Sequence, residues 1–187
     1  PTDPPPRFVD ETLRRVRLEE DKRKLNKIPR NRSFASLRQK NLSSPDLNVP
    51  IDLKPFALAR GSLLYPAAGR TSGQYGEAVR RGVTRKGLVI ETRGSAQVVA
   101  PYGGKVVFSG NFRGYGQLLI IDHGDGYHTL LSGMKRIDGV MGQYLQLGEP
   151  IGIMGNPGAN RPKLYVELRR NNQPINPEPW LIRKKNT

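Results

Sequence analysis

Short strand-like runs separated by turn residues fill the chain from Ser62 onward. They cover residues 87–92, 97–100, 105–112, 117–123, 127–132, 150–154 and 164–170, and most are rich in the β-branched and aliphatic side chains that strands favour. Between them stand Arg93-Gly94-Ser95, Tyr102-Gly103-Gly104, Arg113-Gly114, Gly124-Asp125-Gly126 and Asn156-Pro157-Gly158. Such residues reverse the chain because glycine, asparagine and aspartate accept left-handed backbone. No helical period interrupts the series, so the pattern predicts a mainly β domain, an antiparallel β-sandwich or open barrel. The last run shows the logic most plainly. Leu164, Val166 and Leu168 alternate with Tyr165, Glu167 and Arg169, so the apolar three are expected in the core and the others on the opposite face.

The first 60 residues read differently. Val9, Leu13, Val16, Leu25 and Ile28 form a thin apolar stripe at helical spacing, with Asp10 placed to cap the amino end and Pro29 to stop the helix. The rest of the stretch is charged, Arg14-Arg15-x-Arg17 followed by Glu19-Glu20-Asp21-Lys22-Arg23-Lys24. Opposite charges three and four apart support a solvent-washed helix. So narrow a stripe builds no core of its own and needs a partner surface. Residues 31–58, rich in Ser, Asn, Pro and Leu, read as a linker. The expected organisation is a helical arm over 1–30, the linker, and one β domain over 59–187.

Composition narrows the choice of function. A 36% hydrophobic share in 187 residues is low for a fully packed chain and fits one domain with an extension. There is no cysteine, which excludes disulfides and thiolate metal sites but no compartment. No apolar run reaches the roughly 18 residues of a membrane span, so no transmembrane segment is expected. The first residue is Pro1 rather than methionine, which leaves room for a leader or an upstream domain. The net charge is +15, with 14 basic and 8 acidic side chains in residues 1–60 and 17 and 8 in residues 61–187. That balance favours polyanionic partners or an acidic protein surface, and it also serves plain solubility. Nucleic acid is not expected, since aromatic residues make up only 7% of the chain and no recognition motif is present.

Several motifs, in order, resemble one known family. Val98-Val99-Ala100-Pro101 with Gly103-Gly104-Lys105-Val106-Val107, the strand Gly114-Tyr115-Gly116-Gln117 through Asp122-His123-Gly124, the stretch Gly142-Gln143 to Gly148-Glu149-Pro150-Ile151-Gly152, and the closing Leu164-Tyr165-Val166-Glu167-Leu168 with Pro179-Trp180-Leu181 are similar to the framework of LytM-type, lysostaphin-like zinc endopeptidases. The resemblance runs from Ala59 to Leu181. It implies the open β fold of that family, built on its duplicated hybrid motif. Its working members carry His-Lys-Gly-x-Asp and His-Leu-His-x-Glu as metal-binding segments. Here those segments read Arg85-Lys86-Gly87-Leu88-Val89 and Lys163-Leu164-Tyr165-Val166-Glu167, so Arg85, Val89, Lys163 and Tyr165 stand at the ligand places. Zinc wants neutral or anionic ligands and an open position for water, and an arginine and a lysine there repel the cation. A further catalytic histidine of the family falls at Gly133. No metal or other cofactor is expected.

The degenerate pattern resembles murein hydrolase activators of the EnvC type, which do not cut peptidoglycan. That resemblance implies a pseudoenzyme of the Gram-negative periplasm that switches on N-acetylmuramoyl-L-alanine amidases during cell division and daughter-cell separation. The amidase's regulatory helix would lie in the emptied groove, and Lys86, Val89, Tyr115, Leu131, Lys163, Tyr165 and Arg169 are the residues expected to line it, although Leu131 could equally fill the core. The aromatic members suit interface anchors and the basic ones suit carboxylates. The amino-terminal helix has two readings, an autoinhibitory arm laid across the groove or the end of a coiled coil leading to the FtsE–FtsX divisome transporter. Peptidoglycan itself is the alternative partner, bound in the old substrate cleft. Of the two histidines, His123 is expected to be a hydrogen-bonded structural residue, and His128 a surface strand residue on the opposite face. Gly73, Gly76, Gly103 and Gly104 read as turn residues, and no Ser-His-Asp pattern, Walker loop or HExxH is present.

Overall fold

Alternation along the last long strand places it at the centre of the fold. The computed structural model describes residues 55–156 and 160–183, together with Arg14, which is helical and exposed. The rest of the expected arm and linker lies outside the described residues. Thirteen strands follow in chain order: β1 (Gly69–Gly73), β2 (Ala78–Arg80), β3 (Val83–Thr84), β4 (Leu88–Thr92), β5 (Gln97–Val99), β6 (Gly104–Phe112), β7 (Gly116–Gly124), β8 (Tyr127–Ser132), β9 (Met134–Ile137), β10 (Tyr144–Leu145), β11 (Pro150–Met154), β12 (Lys163–Arg170) and β13 (Gln173–Ile175). The seven strands expected from the sequence are all present, with ends shifted by a residue at most. Six more are short, glycine-rich or polar.

The large sheet runs β1-β4-β12-β8-β7-β6-β10, with β13 paired to β12, and a three-stranded sheet β5-β11-β9 lies apart from it. Among the described residues every strand pair is antiparallel. Between the two sheets sits the core. Leu88 and Ile90 from β4, Leu119 and Ile121 from β7, and Leu164, Val166 and Leu168 from β12 meet Val98, Ile151 and Met154 from the smaller sheet. The apolar set of β12 thus faces inward, as alternation requires. Asn171 and Asn172, at φ of 48° and 65°, join β12 to β13 in the left-handed backbone of a two-residue hairpin.

The packed unit begins at Phe56, three residues before the boundary expected at Ala59. Phe56 is 1% exposed, and its ring stacks on His123 with centroids 4.5 Å apart and on Trp180 at 5.1 Å. His123 is the structural histidine expected. Its Nδ1 donates to the Gly103 carbonyl at 2.7 Å, and Nε2 takes the Thr129 hydroxyl at 2.8 Å. Both nitrogens are thus satisfied in the neutral ring. Burial among aromatics lowers its pKa to about 4, against the opposing pull of the Gly103 bond. In the unfolded chain the ring titrates near pH 6.5, so from there down the unfolded state takes up a proton that the fold refuses. The contribution is whole above pH 6.5 and is lost as pH falls, reaching about 3 kcal/mol by pH 4 at roughly 1.4 kcal/mol per pH unit. Urea midpoints measured between pH 7 and 4 should show that loss, and a His123→Gln variant should show a shallower slope over the same range. Equal slopes would mean that His123 is not the group responsible.

Candidate functional site

The second face of the large sheet carries the candidate site. Register arranges its side chains in four rows that run across the strands. The first is Arg70–Glu91–Lys163 on β1, β4 and β12. The second is Gly73–Val89–Tyr165–Ser132–Leu118–Gly110, from β1 to β6. Glu167–Leu130–Ile120–Phe108 makes the third, and Arg169–His128–Asp122–Lys105–Tyr144 the fourth, ending on the edge strand β10. Rows lie about 7 Å apart, two residues along a strand, and the second spans about 19 Å from β4 to β6 at strand spacing. An apolar middle is therefore bordered by charge on both sides. Leu118, Ile120 and Leu130 in that middle are fully buried.

The four residues expected at the ligand places, Arg85, Val89, Lys163 and Tyr165, lie in and beside the second row. Tyr165 lies directly opposite Val89 on the paired strand. Its ring rests over Gly87, where a Cβ would come within 3.0 Å of Tyr165 Cζ and meet the Val166 carbonyl, so only glycine leaves the ring its place. The Tyr165 hydroxyl donates to Glu167 Oε2 at 2.6 Å. Arg85 bonds Glu77 Oε2 at 2.6 Å, and its guanidinium fills the space that a Cβ on Gly73 would take. Lys163 is exposed, and Lys86, also exposed, donates to the Thr84 hydroxyl at 3.1 Å. Two cations, an aliphatic side chain and a phenol already committed to Glu167 do not fit a zinc ion. Gly133, expected at the place of the family's further histidine, has a φ of +95°, and a Cβ there would run into the Lys163 carbonyl. A histidine could not be restored at Gly133 without moving the backbone.

Two expected groove residues are placed otherwise. Leu131 pairs across the sheet with Val166 and Leu119, which are core residues, and it joins the core at 0% exposure. Parity along β8 forces this, because Leu130 and Ser132 take the groove face. Arg169 is on the groove face but 1% exposed, with Nε on Glu167 Oε1 at 2.5 Å and Nη1 on the Asn172 carbonyl. It neutralises Glu167 inside the domain rather than presenting a charge at the surface. His128 shares this face, opposite to His123 as expected. It is half-buried rather than a surface residue, with Nε2 3.7 Å from Asp122 Oδ1.

An aromatic chain is not evident from the sequence. Tyr115 stands 6.3 Å from Tyr165, Phe112 stands 6.0 Å from Tyr115, and Phe108 stands 5.5 Å from Phe112, measured between ring centroids. A register shift between Val106 and Phe108 is a bulge. It moves Phe108 to the face opposite Val106, whereas simple alternation along 105–112 would put both on one face.

Comparison with known proteins returns one family and several named relatives. Peptidase family M23 matches residues 83–177. The chain is 34% identical over 125 residues to the murein hydrolase activator EnvC of Escherichia coli, a match covering 66% of this chain and 30% of that protein. It is 35% identical over 127 residues to the lipoprotein NlpD/LppB homolog of Pseudomonas aeruginosa, covering 67% of this chain and 42% of that one. The chain thus spans less than half of either relative. Among solved structures, Csd3 of Helicobacter pylori superposes with a TM-score of 0.56 at 25% identity, over 67% of this chain and 36% of that one.

Proposed function

The chain belongs to peptidase family M23, and from that premise we propose that it acts without cutting, as an activator of envelope N-acetylmuramoyl-L-alanine amidases. One observation carries the reading. Arg85, Val89, Lys163 and Tyr165 stand where the resemblance expects the histidines and aspartate of the two metal-binding segments, and the Tyr165 hydroxyl is engaged by Glu167. What remains is a peptide groove with no hydrolytic centre. Its relative's name, murein hydrolase activator, supports the same direction. The partner's regulatory helix lies along the second and third rows. A helix about 10 Å across covers two rows about 7 Å apart, and the roughly 19 Å of the groove takes about 13 residues. Val89, Tyr115 and Tyr165 receive its apolar stripe, while Lys86 and Lys163 meet its carboxylates. The activator binds only the amidase whose helix has left its own zinc site, so binding favours that open state.

The amino-terminal arm regulates this groove. A helix over residues 10–28 would be about 28 Å long, enough to cross it, and its thin apolar stripe needs such a surface. The setting is the Gram-negative periplasm, with an upstream coiled coil linking the chain to the FtsE–FtsX transporter.

Release of dye-labelled peptidoglycan by a purified amidase of the same organism tests the proposal. The chain should stimulate release yet be silent alone, and loss of residues 1–54 should strengthen stimulation. Tyr165→Ala should weaken it about thirty-fold, the effect of losing an anchor worth about 2 kcal/mol. Release by the chain alone, abolished by a chelator, would overturn the reading. Unaltered stimulation without residues 1–54 would remove the regulatory arm and leave the rest.

A further inference from the structure

Among the described residues, seven large apolar side chains are exposed, and four of them fall within eight positions: Val140 at 65%, Met141 at 68%, Tyr144 at 59% and Leu147 at 49%. The loop that carries them is not slack. The Gly142 amide donates to the Val106 carbonyl at 2.7 Å, the Val106 amide returns a bond to the Gln143 carbonyl at 2.8 Å, and the Gln143 amide closes a turn onto the Val140 carbonyl at 3.0 Å. The Gln143 side chain takes the Val140 amide and donates to Glu149 Oε1 at 2.9 Å, while Glu149 Oε2 holds the Gln146 amide. Lys105 Nζ stands over the Tyr144 ring, 5.6 Å from its centroid.

So many bonds fix a loop whose large side chains point mostly to water. Leu145 alone of that stretch packs in the core. Apolar side chains held outward add little to folding, but pre-ordering them lowers the cost of covering them later. The place of Tyr144 in the sheet points to what covers the loop. Tyr144 ends the row Arg169–His128–Asp122–Lys105–Tyr144, so it lies on the groove face, at the open edge beyond β6.

We infer that Val140, Met141, Tyr144 and Leu147 form an apolar shelf on which the protein that fills the groove makes a second contact, through an apolar segment continuing past the sheet edge. The inference rests on the proposed groove reading and adds a partner surface to it. A second copy of the chain is disfavoured, because each copy carries +15 and like charges of that size repel. An anionic lipid surface is the competing occupant for so basic a chain, and the vesicle arm of the test below tells it from the amidase.

The test uses the full chain and a purified N-acetylmuramoyl-L-alanine amidase of the same organism, with affinity read by titration. Met141→Asp and Leu147→Asp should each weaken binding about ten-fold, as loss of a buried apolar contact does, with melting temperature unchanged at such exposed sites. Wild-type affinity in both, together with loss of binding in Tyr165→Ala, would overturn the shelf and leave the groove. Wild-type affinity in Tyr165→Ala would instead sink the groove reading on which the shelf rests. If the two variants abolish self-association in sedimentation, or binding to phosphatidylglycerol vesicles, with amidase affinity unchanged, the shelf belongs to another partner and the inference fails.

Discussion

Glu167→Ala should lower the stability of the fold by about 3–5 kcal/mol, the usual cost of removing one member of a buried ion pair. Glu167 and Arg169 are each 1% exposed in their side chains, with Nε on Oε1 at 2.5 Å. Glu167 lies in the row of Leu130, Ile120 and Phe108 and Arg169 in the next row beside His128, both shut off from solvent. Without the carboxylate, Arg169 loses a charge-assisted bond to a buried anion, which the Asn172 carbonyl at 3.2 Å, a neutral acceptor, does not replace. The pair as a whole is another matter. Replacing both members by apolar residues of similar volume is often neutral or stabilising, so Glu167→Leu combined with Arg169→Met should recover most of the loss. Urea unfolding of wild type, both single variants and the double variant measures the coupling directly. A single variant within about 0.5 kcal/mol of wild type would show that Arg169 does not depend on Glu167. The same substitution bears on function, because Glu167 Oε2 also accepts from Tyr165. Glu167 therefore positions the Tyr165 ring, and it does so from the domain's interior.

Which features are legible in the sequence depends on which forces act locally. Strands with strong alternation are legible, and so is the parity of β12, since Leu164, Val166 and Leu168 can only be the buried set. The order of the framework residues is legible, because each motif stands next to the one expected beside it. Alternation puts Arg169 on the right face but in the wrong setting, because it says which way a side chain points and not whether a neighbour neutralises it. Residue type leaves Leu131 undecided between groove and core, and strand pairing sends it inward. Phe108 and Phe112 escape a reading by alternation because one extra residue in β6 inverts the parity of the positions after it. Strands such as β1, with the sequence Gly-Arg-Thr-Ser-Gly, have no local signal at all. They form because neighbouring β4 offers a row of unpaired backbone groups. The exposed loop at 140–147 falls in a stretch that matches the family's turn pattern, and nothing in that pattern announces that its apolar side chains face water.

Phe56 falls within the expected linker for a similar reason: a single aromatic residue between Pro55 and Ala57 carries no periodicity. Its expected effect is nonetheless large. Phe56→Ala should cost about 3–5 kcal/mol, the range for truncating a buried phenylalanine. In a chain of this size that is roughly 6–20 °C in melting temperature. The ring is the hub of a cluster, with Tyr102 at 5.2 Å, His123 at 4.5 Å, Tyr127 at 4.9 Å and Trp180 at 5.1 Å between centroids. These partners come from the β5–β6 turn, the end of β7, the start of β8 and the segment after β13, so the cavity left by truncation cannot be closed by moving one element. Phe56→Leu, which keeps most of the volume, should cost a fraction of that, and a cost equal to alanine's would mean that stacking rather than space filling dominates. The cluster also ties the loss to pH. His123 owes its low pKa chiefly to burial, and Phe56 forms one wall of that burial. Water admitted by the alanine variant should let the imidazole charge more easily in the folded state, so its pKa moves back toward 6.5. The destabilisation caused by Phe56→Ala should therefore shrink between pH 7 and pH 4, since the wild type loses the His123 contribution over that range and the variant has less of it to lose. A penalty that stays constant across that range would mean that the ring fills space beside His123 without keeping water from it.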